Sequence, residues 1–113
     1  MKIQLDIPER ISTNKIYSGV HWAVRARLAN LYHSLLIGQP KYTGEYPIQI
    51  TYRFTWRTRP YDTTNCSFLV KMLEDGLVGN GVITADDTWT VHRTIIESKK
   101  GDKDFVEIEI ESL

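Results

Sequence analysis

Apolar and polar residues alternate in several stretches of the chain, as they do along a β-strand that buries one face. Residues 3–7 alternate until Pro8, and residues 48–57 alternate over a longer run in which apolar and aromatic residues are interleaved with threonine and arginine. Residues 88–98 and 105–110 are rich in strand-forming residue types, and the charged segment KKGDKD between them predicts a hairpin loop. The pattern therefore predicts four strands.

Two other stretches have apolar residues at intervals of three and four, which is the period of an amphipathic helix. The first begins at His21 and runs to about Ile37, where Gly38 and Pro40 end it. The second runs from 65 to 79, follows residues that favour a helix N-terminus, and is succeeded by an Asn-Gly turn signal.

The predicted order of elements is β-α-β-α-β-β, which gives an α+β fold with two helices packed on a small mixed four-stranded sheet. At 113 residues the chain has the size of one compact domain. It shows no internal repeat and no linker, so we expect a single domain over residues 1–113.

The composition is that of an ordinary globular protein, with 42% hydrophobic and 11% aromatic residues. The lone Cys66 excludes an intrachain disulfide and a zinc finger. The opening residues MKIQLDIPER lack the apolar run of a signal peptide, and no stretch is apolar for the roughly 20 residues of a membrane span. We expect a cytoplasmic protein with no membrane partner and no organic cofactor.

Fourteen basic residues balance fourteen acidic ones, but the two kinds are unevenly distributed. Between Glu45 and Asp62 the only charged residues are Arg53, Arg57 and Arg59, which lie among aromatic residues. The last part of the chain is instead acidic. This segregation weakly favours a protein with one side that faces phosphate.

Five acids lie around the second predicted helix: Asp62, Glu74, Asp75, Asp86 and Asp87. Asp62 has two interpretations, as the N-cap of the helix or as a ligand of a divalent metal. The loop after the helix is long enough to return Asp87 to the end where Asp62 lies, and two carboxylates with threonine hydroxyls would suit Mg²⁺ or Mn²⁺. Lys71 precedes Asp75 by four residues, which predicts an ion pair on one helix face.

Several short motifs follow one another in the chain: Ser12-Thr13-Asn14-Lys15, Asp62-x-x-Asn65, Lys71-x-x-x-Asp75-Gly76-Leu77, Gly81-Val82-Ile83 and Asp86-Asp87. In this combination the chain resembles, over nearly its whole length, the RusA family of Holliday junction resolvases, which are common in phages and prophages. The resemblance implies a Mg²⁺-dependent, homodimeric endonuclease that cuts branched DNA with clustered aspartates and an essential lysine.

Carried onto this chain, the resemblance makes Asp62 and Asp87 catalytic metal ligands, with Asp86 as a third ligand and Lys71 as the catalytic lysine. Bound Mg²⁺ would activate water and polarise the phosphate, while the lysine would stabilise negative charge. A further set of polar and basic residues is expected to contact DNA: Asn14, Lys15, Arg57, Arg59, Asn65 and Lys99.

Two positions depart from the family pattern. Thr64 stands where the family has a second aspartate, and Phe68 stands where the family lysine follows Asn65 by three residues, with Lys71 one helical turn later. The first expectation is therefore an endonuclease that resolves Holliday junctions or related branched DNA in recombination and repair. The alternatives are a catalytically eroded DNA-binding protein on the same scaffold, and an interaction module whose acids are only surface charge.

Overall fold

The computed structural model describes residues 1–19 and 22–113, which form one mixed four-stranded sheet covered by helices. In chain order the elements are β1 (Lys2–Asp6), α1 (Thr13–Tyr17), α2 (Trp22–Ser34), β2 (Ile48–Trp56), a 3₁₀ helix (Thr63–Cys66), α3 (Ser67–Gly79), β3 (Val91–Lys100) and β4 (Phe105–Ser112). The predicted α+β class and the predicted order of the strands and long helices are confirmed. The predicted start of the first long helix at His21 lies outside the described residues.

A short helix, α1, occupies part of the segment that sequence patterning treats as a polar loop. Its first turn is capped by Ser12, whose Oγ accepts a hydrogen bond from the Lys15 backbone N–H at 3.1 Å. Ile16 anchors it in the core with 1% of its surface exposed. A five-residue helix is too short to leave a clear apolar period in the sequence.

The strands lie in the order β1-β4-β2-β3, with β3 parallel to β2 and the other two pairs antiparallel. The hairpin predicted at KKGDKD is therefore wrong, because β4 pairs with β2 and β1 and not with β3. The charged loop does reverse the chain, but a turn signal does not determine which strand becomes the neighbour. Here the connection 101–104 crosses the end of β2 instead.

Gly101 makes this crossing possible. Its backbone N–H donates to the Trp56 carbonyl at 2.9 Å, so the connection lies directly against the end of β2. A Cβ atom at this position would lie 2.3 Å from Thr55 Cγ2, which is far inside van der Waals contact. The glycine is thus required by space and not by a special backbone angle.

The core lies on one face of the sheet, beneath the two long helices. β2 supplies its centre, because Ile48, Ile50, Tyr52, Phe54 and Trp56 are all buried with at most 1% of their surface exposed. α3 packs on this face and α2 packs against α3. No helix within residues 1–19 and 22–113 has both the length and the apolarity that crossing a bilayer requires.

The opposite face of the sheet is open and is built around Arg53. This guanidinium donates to three carboxylates, Glu97 at 2.9 Å, Glu107 at 2.9 Å and Glu109 at 2.7 Å. The pairing raises the pKa of Arg53 and lowers the pKa of Glu109. The acidic end of the chain and one of the central arginines therefore neutralise each other, and Arg53 is not part of a phosphate-facing side.

Candidate nucleic-acid and metal site

The segment between β2 and α3 forms a cleft of about 250 Å³, here called the Asp62 cleft. Its walls are Arg10, Arg59, Pro60, Tyr61, Asp62 and Asn65. Two cations and one carboxylate thus surround a space large enough for a phosphate group with its first water molecules. The cleft lies where β2 ends, so a buried strand fixes one side of it.

Arg10 organises the cleft, although it comes from the distant loop between β1 and α1. Its guanidinium lies over the rings of Trp56 and Tyr61, with its Cζ 4.7 Å and 4.2 Å from their centroids. It also donates to Thr58 Oγ1 at 2.6 Å and to the Arg59 carbonyl. Cation–π contacts and hydrogen bonds from this one side chain therefore fix the segment that carries Arg59, and they keep that segment at the cleft.

The opening loop and the start of α3 are joined through Thr13 and Asn65. Asn65 Oδ1 accepts the Asn14 backbone N–H at 3.0 Å, and Thr13 Oγ1 donates to the Asn65 carbonyl at 3.1 Å. The same Thr13 oxygen accepts the Phe68 backbone N–H at 2.9 Å, so it satisfies a free amide in the first turn of α3. Two motifs some fifty residues apart in the sequence thus meet in space.

Asp62 is exposed, and its carboxylate makes no side-chain cap to the 3₁₀ helix that follows it. Only its backbone carbonyl takes part, by accepting the Asn65 N–H at 2.9 Å. Asp62 therefore occupies the N-cap position, as one of the two interpretations has it, but its side chain does not cap the helix. Within residues 1–19 and 22–113 its carboxylate has no hydrogen-bond or ion-pair partner, and it is left as an available acceptor at the rim of the cleft.

A second group of charges lies further along α3. Lys71 Nζ is 3.0 Å from Asp75 Oδ1, which confirms the predicted pair, and 3.7 Å from Asp86 Oδ2. Hydrogen bonding to Asp75 raises the pKa of Lys71. Beside them, the half-buried Glu74 accepts a hydrogen bond from Tyr52 Oη at 3.3 Å, and burial raises the pKa of Glu74.

Asp87 begins the turn that leads into β3. Its Oδ1 accepts the backbone N–H groups of Trp89 at 3.1 Å and Thr90 at 2.9 Å, which fixes the carboxylate. Its backbone carbonyl accepts the Val91 N–H at the start of β3. Asp87 therefore belongs to the end of the sheet at which β2 and β3 begin.

The expected meeting of Asp62 and Asp87 does not occur within one chain. The backbone carbonyl of Tyr61, the residue before Asp62, accepts a hydrogen bond from Ser98 Oγ near the end of β3. The backbone carbonyl of Asp87 instead accepts the Val91 N–H at the start of β3. At ~3.3 Å per residue, Val91 and Ser98 are roughly 23 Å apart along the strand. The loop after α3 returns only as far as Lys71, because Val82 and Ile83 are buried and shorten its reach.

The structure therefore separates the predicted metal ligands into Asp62 at the cleft and Asp86 with Asp87 near the second turn of α3 and the start of β3. No group of three or more histidine, cysteine or acidic side chains that could hold a metal occurs in the described ranges 1–19 and 22–113. A site for Mg²⁺ with fewer protein ligands is compatible with this arrangement, because the ion commonly keeps several waters and takes phosphate oxygens from its substrate.

The predicted DNA-contacting residues divide into three locations. Asn14 and Lys15 are exposed on α1, beside the first turn of α3, while Arg57 and Arg59 are exposed on the segment that follows β2. Lys99 is exposed on the open face, next to Thr55 and Phe105. Asn65 is engaged by the Asn14 N–H, so its side chain shapes the loop and is not simply available to DNA.

Sequence reasoning missed Arg10, the residue with the most contacts in the cleft. The signal that could have found it is the pair of aromatic residues Trp56 and Tyr61, which enclose an arginine-rich segment and favour a stacked guanidinium. Nothing in the sequence selects Arg10 from the other arginines for that position. Models of known protein families give no match to this chain, and neither do the curated proteins.

Proposed function

We propose that the protein is a Mg²⁺-dependent endonuclease that acts on branched DNA such as a Holliday junction, in recombination or repair. The observation that carries the proposal is the Asp62 cleft, in which an unengaged carboxylate lies beside two guanidiniums. Guanidiniums bind phosphate oxygens, and an exposed carboxylate takes a hard cation. Phosphodiester hydrolysis needs both at one place.

The donor chemistry of the chain suits Mg²⁺ at Asp62, because this carboxylate is exposed and unpaired among the described residues. Asp62 would hold the ion, with the hydroxyls of Thr63 and Thr64 close in sequence and with phosphate oxygens and water completing its shell. When bound there, Mg²⁺ supplies charge neutralisation of the phosphate and a lowered pKa for water. Asp86 and Asp87 stay predicted ligands, but they lie away from the cleft, near Lys71 of α3 and the start of β3.

The side chains of the cleft have separate tasks in this proposal. Arg59 and Arg57 bind backbone phosphates on either side of the scissile bond, and Lys15 extends the basic surface along α1. Arg10 holds the segment in place through its stacking on Trp56 and Tyr61. Lys71 is a candidate for charge stabilisation only if DNA or metal displaces its two carboxylate partners.

A homodimer is part of the proposal, because symmetric cutting of both strands at a junction needs two sites related by a twofold axis. The partners of the protein would then be branched DNA and a second copy of the chain.

A second candidate function is DNA binding without cleavage. It is favoured by the lack of a three-acid group in the described ranges and by the engagement of Lys71 with Asp75 and Asp86. Thr64, in place of a charged ligand, has the same implication. On this view the arginines of the cleft would bind phosphate and Asp62 would only tune the affinity.

The test is cleavage and binding of a synthetic four-way junction by Asp62→Asn, beside linear duplex of the same sequence. The nuclease proposal expects Mg²⁺-dependent cutting by the native protein and a loss of orders of magnitude in the variant. Binding without metal should hold or increase, because a negative charge that faces phosphate has gone. Asp87→Asn tests the second predicted ligand in the same way, and Glu111→Gln, an exposed acid on β4, is the matched control.

The outcomes separate the candidate functions. Salt-dependent binding of the junction with no cutting in Mg²⁺ or Mn²⁺ supports the binding protein and refutes the nuclease. Full Mg²⁺-dependent cutting by Asp62→Asn refutes the metal site at Asp62. Absence of both cutting and binding leaves an interaction module whose acids are surface charge.

A further inference from the structure

The strand β3 is an unpaired edge of the sheet. It pairs with β2 on one side only, and at ten residues it is the longest strand among the described residues. Its pairing with β2 is regular from Arg93 onward, since the one register shift lies before that residue. Long, regular edges with unpaired backbone groups are the parts of a sheet that accept another strand.

Backbone geometry limits how such an edge can pair with a copy of itself. Alternate residues direct their N–H and C=O groups to opposite sides of the strand, so outward-facing residues must lie opposite outward-facing residues. For two identical antiparallel strands, this allows only registers whose twofold axis passes through a residue. The possible registers of the regular segment are therefore few, and each can be checked for charge.

Two registers set opposite charges against each other. An axis at Ser98 sets Glu97 opposite Lys99 but pairs only residues 96–100 of β3, whereas an axis at Ile95 pairs residues 91–99. With the twofold axis at Ile95, Arg93 of each copy lies opposite Glu97 of the other, so two opposite-charge pairs flank a pair of isoleucines. All three side chains are on the open face of the sheet, where Glu97 already contacts Arg53. Directly opposed side chains in an antiparallel pair have Cβ atoms ~5 Å apart, within reach of an ion pair.

The neighbouring registers are not complementary. An axis at Ile96 sets Arg93 opposite Lys99, and an axis at Arg93 or Glu97 sets a charge opposite itself. An axis at Thr94 leaves the same charges opposite apolar residues. Charged side chains on an edge strand often prevent another strand from pairing with it. Charges of opposite sign placed symmetrically about an apolar residue do not have that effect on a second copy, because they attract it.

We propose that β3 pairs antiparallel with β3 of a second copy of this chain, in the register centred on Ile95. The two four-stranded sheets then form one continuous sheet of eight strands with a twofold axis perpendicular to the strands. Arg93 donates to Gln49 Oε1 at 3.0 Å from one nitrogen only, and Glu97 uses one oxygen for Arg53. Both residues keep capacity for the partner.

The other edge, β1, is the competing surface. Lys2 and Asp6 are placed symmetrically about Gln4, so β1 also has a complementary self-register. It is half the length of β3, however, its axis residue is polar, and Lys103 already lies 3.1 Å from Asp6. These differences favour β3.

The test measures mass by light scattering across a concentration series, at low and high salt. The native protein should approach twice the 13.1 kDa chain mass at tens of micromolar. Arg93→Glu and Glu97→Lys should each raise the dimer dissociation constant by roughly tenfold or more, because both opposed pairs become like-charged. A mixture of the two variants should form dimers again, because each now complements the other. Lys99→Glu is the control, since it makes the same charge change as Arg93→Glu at a position outside the opposed pairs.

Each result is decisive. A native protein that stays monomeric at high concentration refutes the proposal, and so do two variants that dimerise unchanged. Loss of the dimer in Lys2→Glu but not in Arg93→Glu assigns the interface to β1 and also refutes it. Should Glu97→Lys fail to fold beside Arg53, Ile95→Lys places like charges at the axis and must weaken the dimer. The inference rests on the homodimer of the proposed function, but none of these measurements uses nuclease activity. A dimer that persists unchanged in Arg93→Glu and Glu97→Lys refutes the β3 interface and leaves the proposed function standing.

Discussion

Replacing Arg10 with alanine tests whether the Asp62 cleft is held by one side chain. The change removes two cation–π contacts, to Trp56 and Tyr61, and two hydrogen bonds, to Thr58 Oγ1 and the Arg59 carbonyl. Trp56 is fully buried, so the ring beneath the guanidinium cannot move to compensate. We expect a loss of stability together with disorder of the segment that follows β2.

The size of the effect follows from these four contacts. A cation–π contact contributes ~0.5–2 kcal/mol, depending on how far it is desolvated, and a typical hydrogen bond contributes about 1 kcal/mol net. Arg10 is half-exposed, which places each contact in the lower part of its range. We expect a total of about 2–3 kcal/mol, and for a domain of this size ~1 kcal/mol lowers Tm by roughly 4 °C.

Calorimetry or thermal denaturation followed by circular dichroism should therefore show Tm lower by about 8–12 °C. Arg27→Ala is the matched control, because it removes an exposed pair with Glu9 at 2.9 Å, and solvent screens such pairs so that they contribute little to stability. Arg10→Lys should fall between the two, since it keeps the charge but not the planar fork. If Arg10→Ala costs no more than Arg27→Ala, the stacked arginine does not hold the cleft and the reasoning fails.

Three other changes test separate parts of the molecule. Burial raises the pKa of Glu74 and disfavours its charged form, so the free energy of unfolding should fall as pH rises from the unfolded-state pKa, near 4.5, through the folded-state pKa. Urea titrations at several pH values should show a smaller decline for Glu74→Gln. Gly101→Ala should cost ~1–3 kcal/mol through its clash with Thr55, and Thr55→Ser in the same chain should relieve most of the additional cost in a double-mutant cycle. Replacing Arg57 and Arg59 together with alanine should weaken DNA binding at all sequences and reduce the salt slope by about one or two units; an unchanged slope would show that these arginines are only solvated surface.

The sequence specifies the strongly periodic elements well. The strand predicted over 48–57 is observed over Ile48–Trp56, and the helix predicted over 65–79 is observed over Ser67–Gly79 after a 3₁₀ turn. Both have long apolar repeats that only one secondary structure can bury. Their bounds are accurate because the repeat ends where burial ends.

The elements that were missed or misplaced depend on contacts that lie outside their own segment. The first long helix ends at Ser34 and not near Ile37, because tighter turns at Leu36 and Ile37 replace its last residues. β3 begins at Val91 and not at Thr88, since Asp87 holds the preceding residues in a turn. In both places the residue types suit either structure, and local hydrogen bonds decide between them.

The candidate site was only partly accessible from sequence for the same reason. The Lys71–Asp75 pair is local and was predicted, whereas the contact of Lys71 with Asp86 needs the path of the loop after α3. The stacking of Arg10 on Trp56 joins residues far apart in the chain, and no periodicity records it. Distances between separate elements are set by core packing, and single-sequence patterns do not contain them.

The state of Asp62 depends on which partners the amides at the start of the 3₁₀ helix and of α3 find. An aspartate before a helix ordinarily satisfies the free amides of the first turn, and its carboxylate is then occupied. In this protein Thr13, from the opening loop, accepts the Phe68 N–H of α3, while Asn65 ties that loop in place through the Asn14 N–H. The Asn65 N–H, which a capping Asp62 carboxylate could accept, instead donates to the Asp62 backbone carbonyl at 2.9 Å. Asp62 therefore remains exposed at the rim of a cleft lined by arginines, which is the condition that binding of a cation and a phosphate at this position requires.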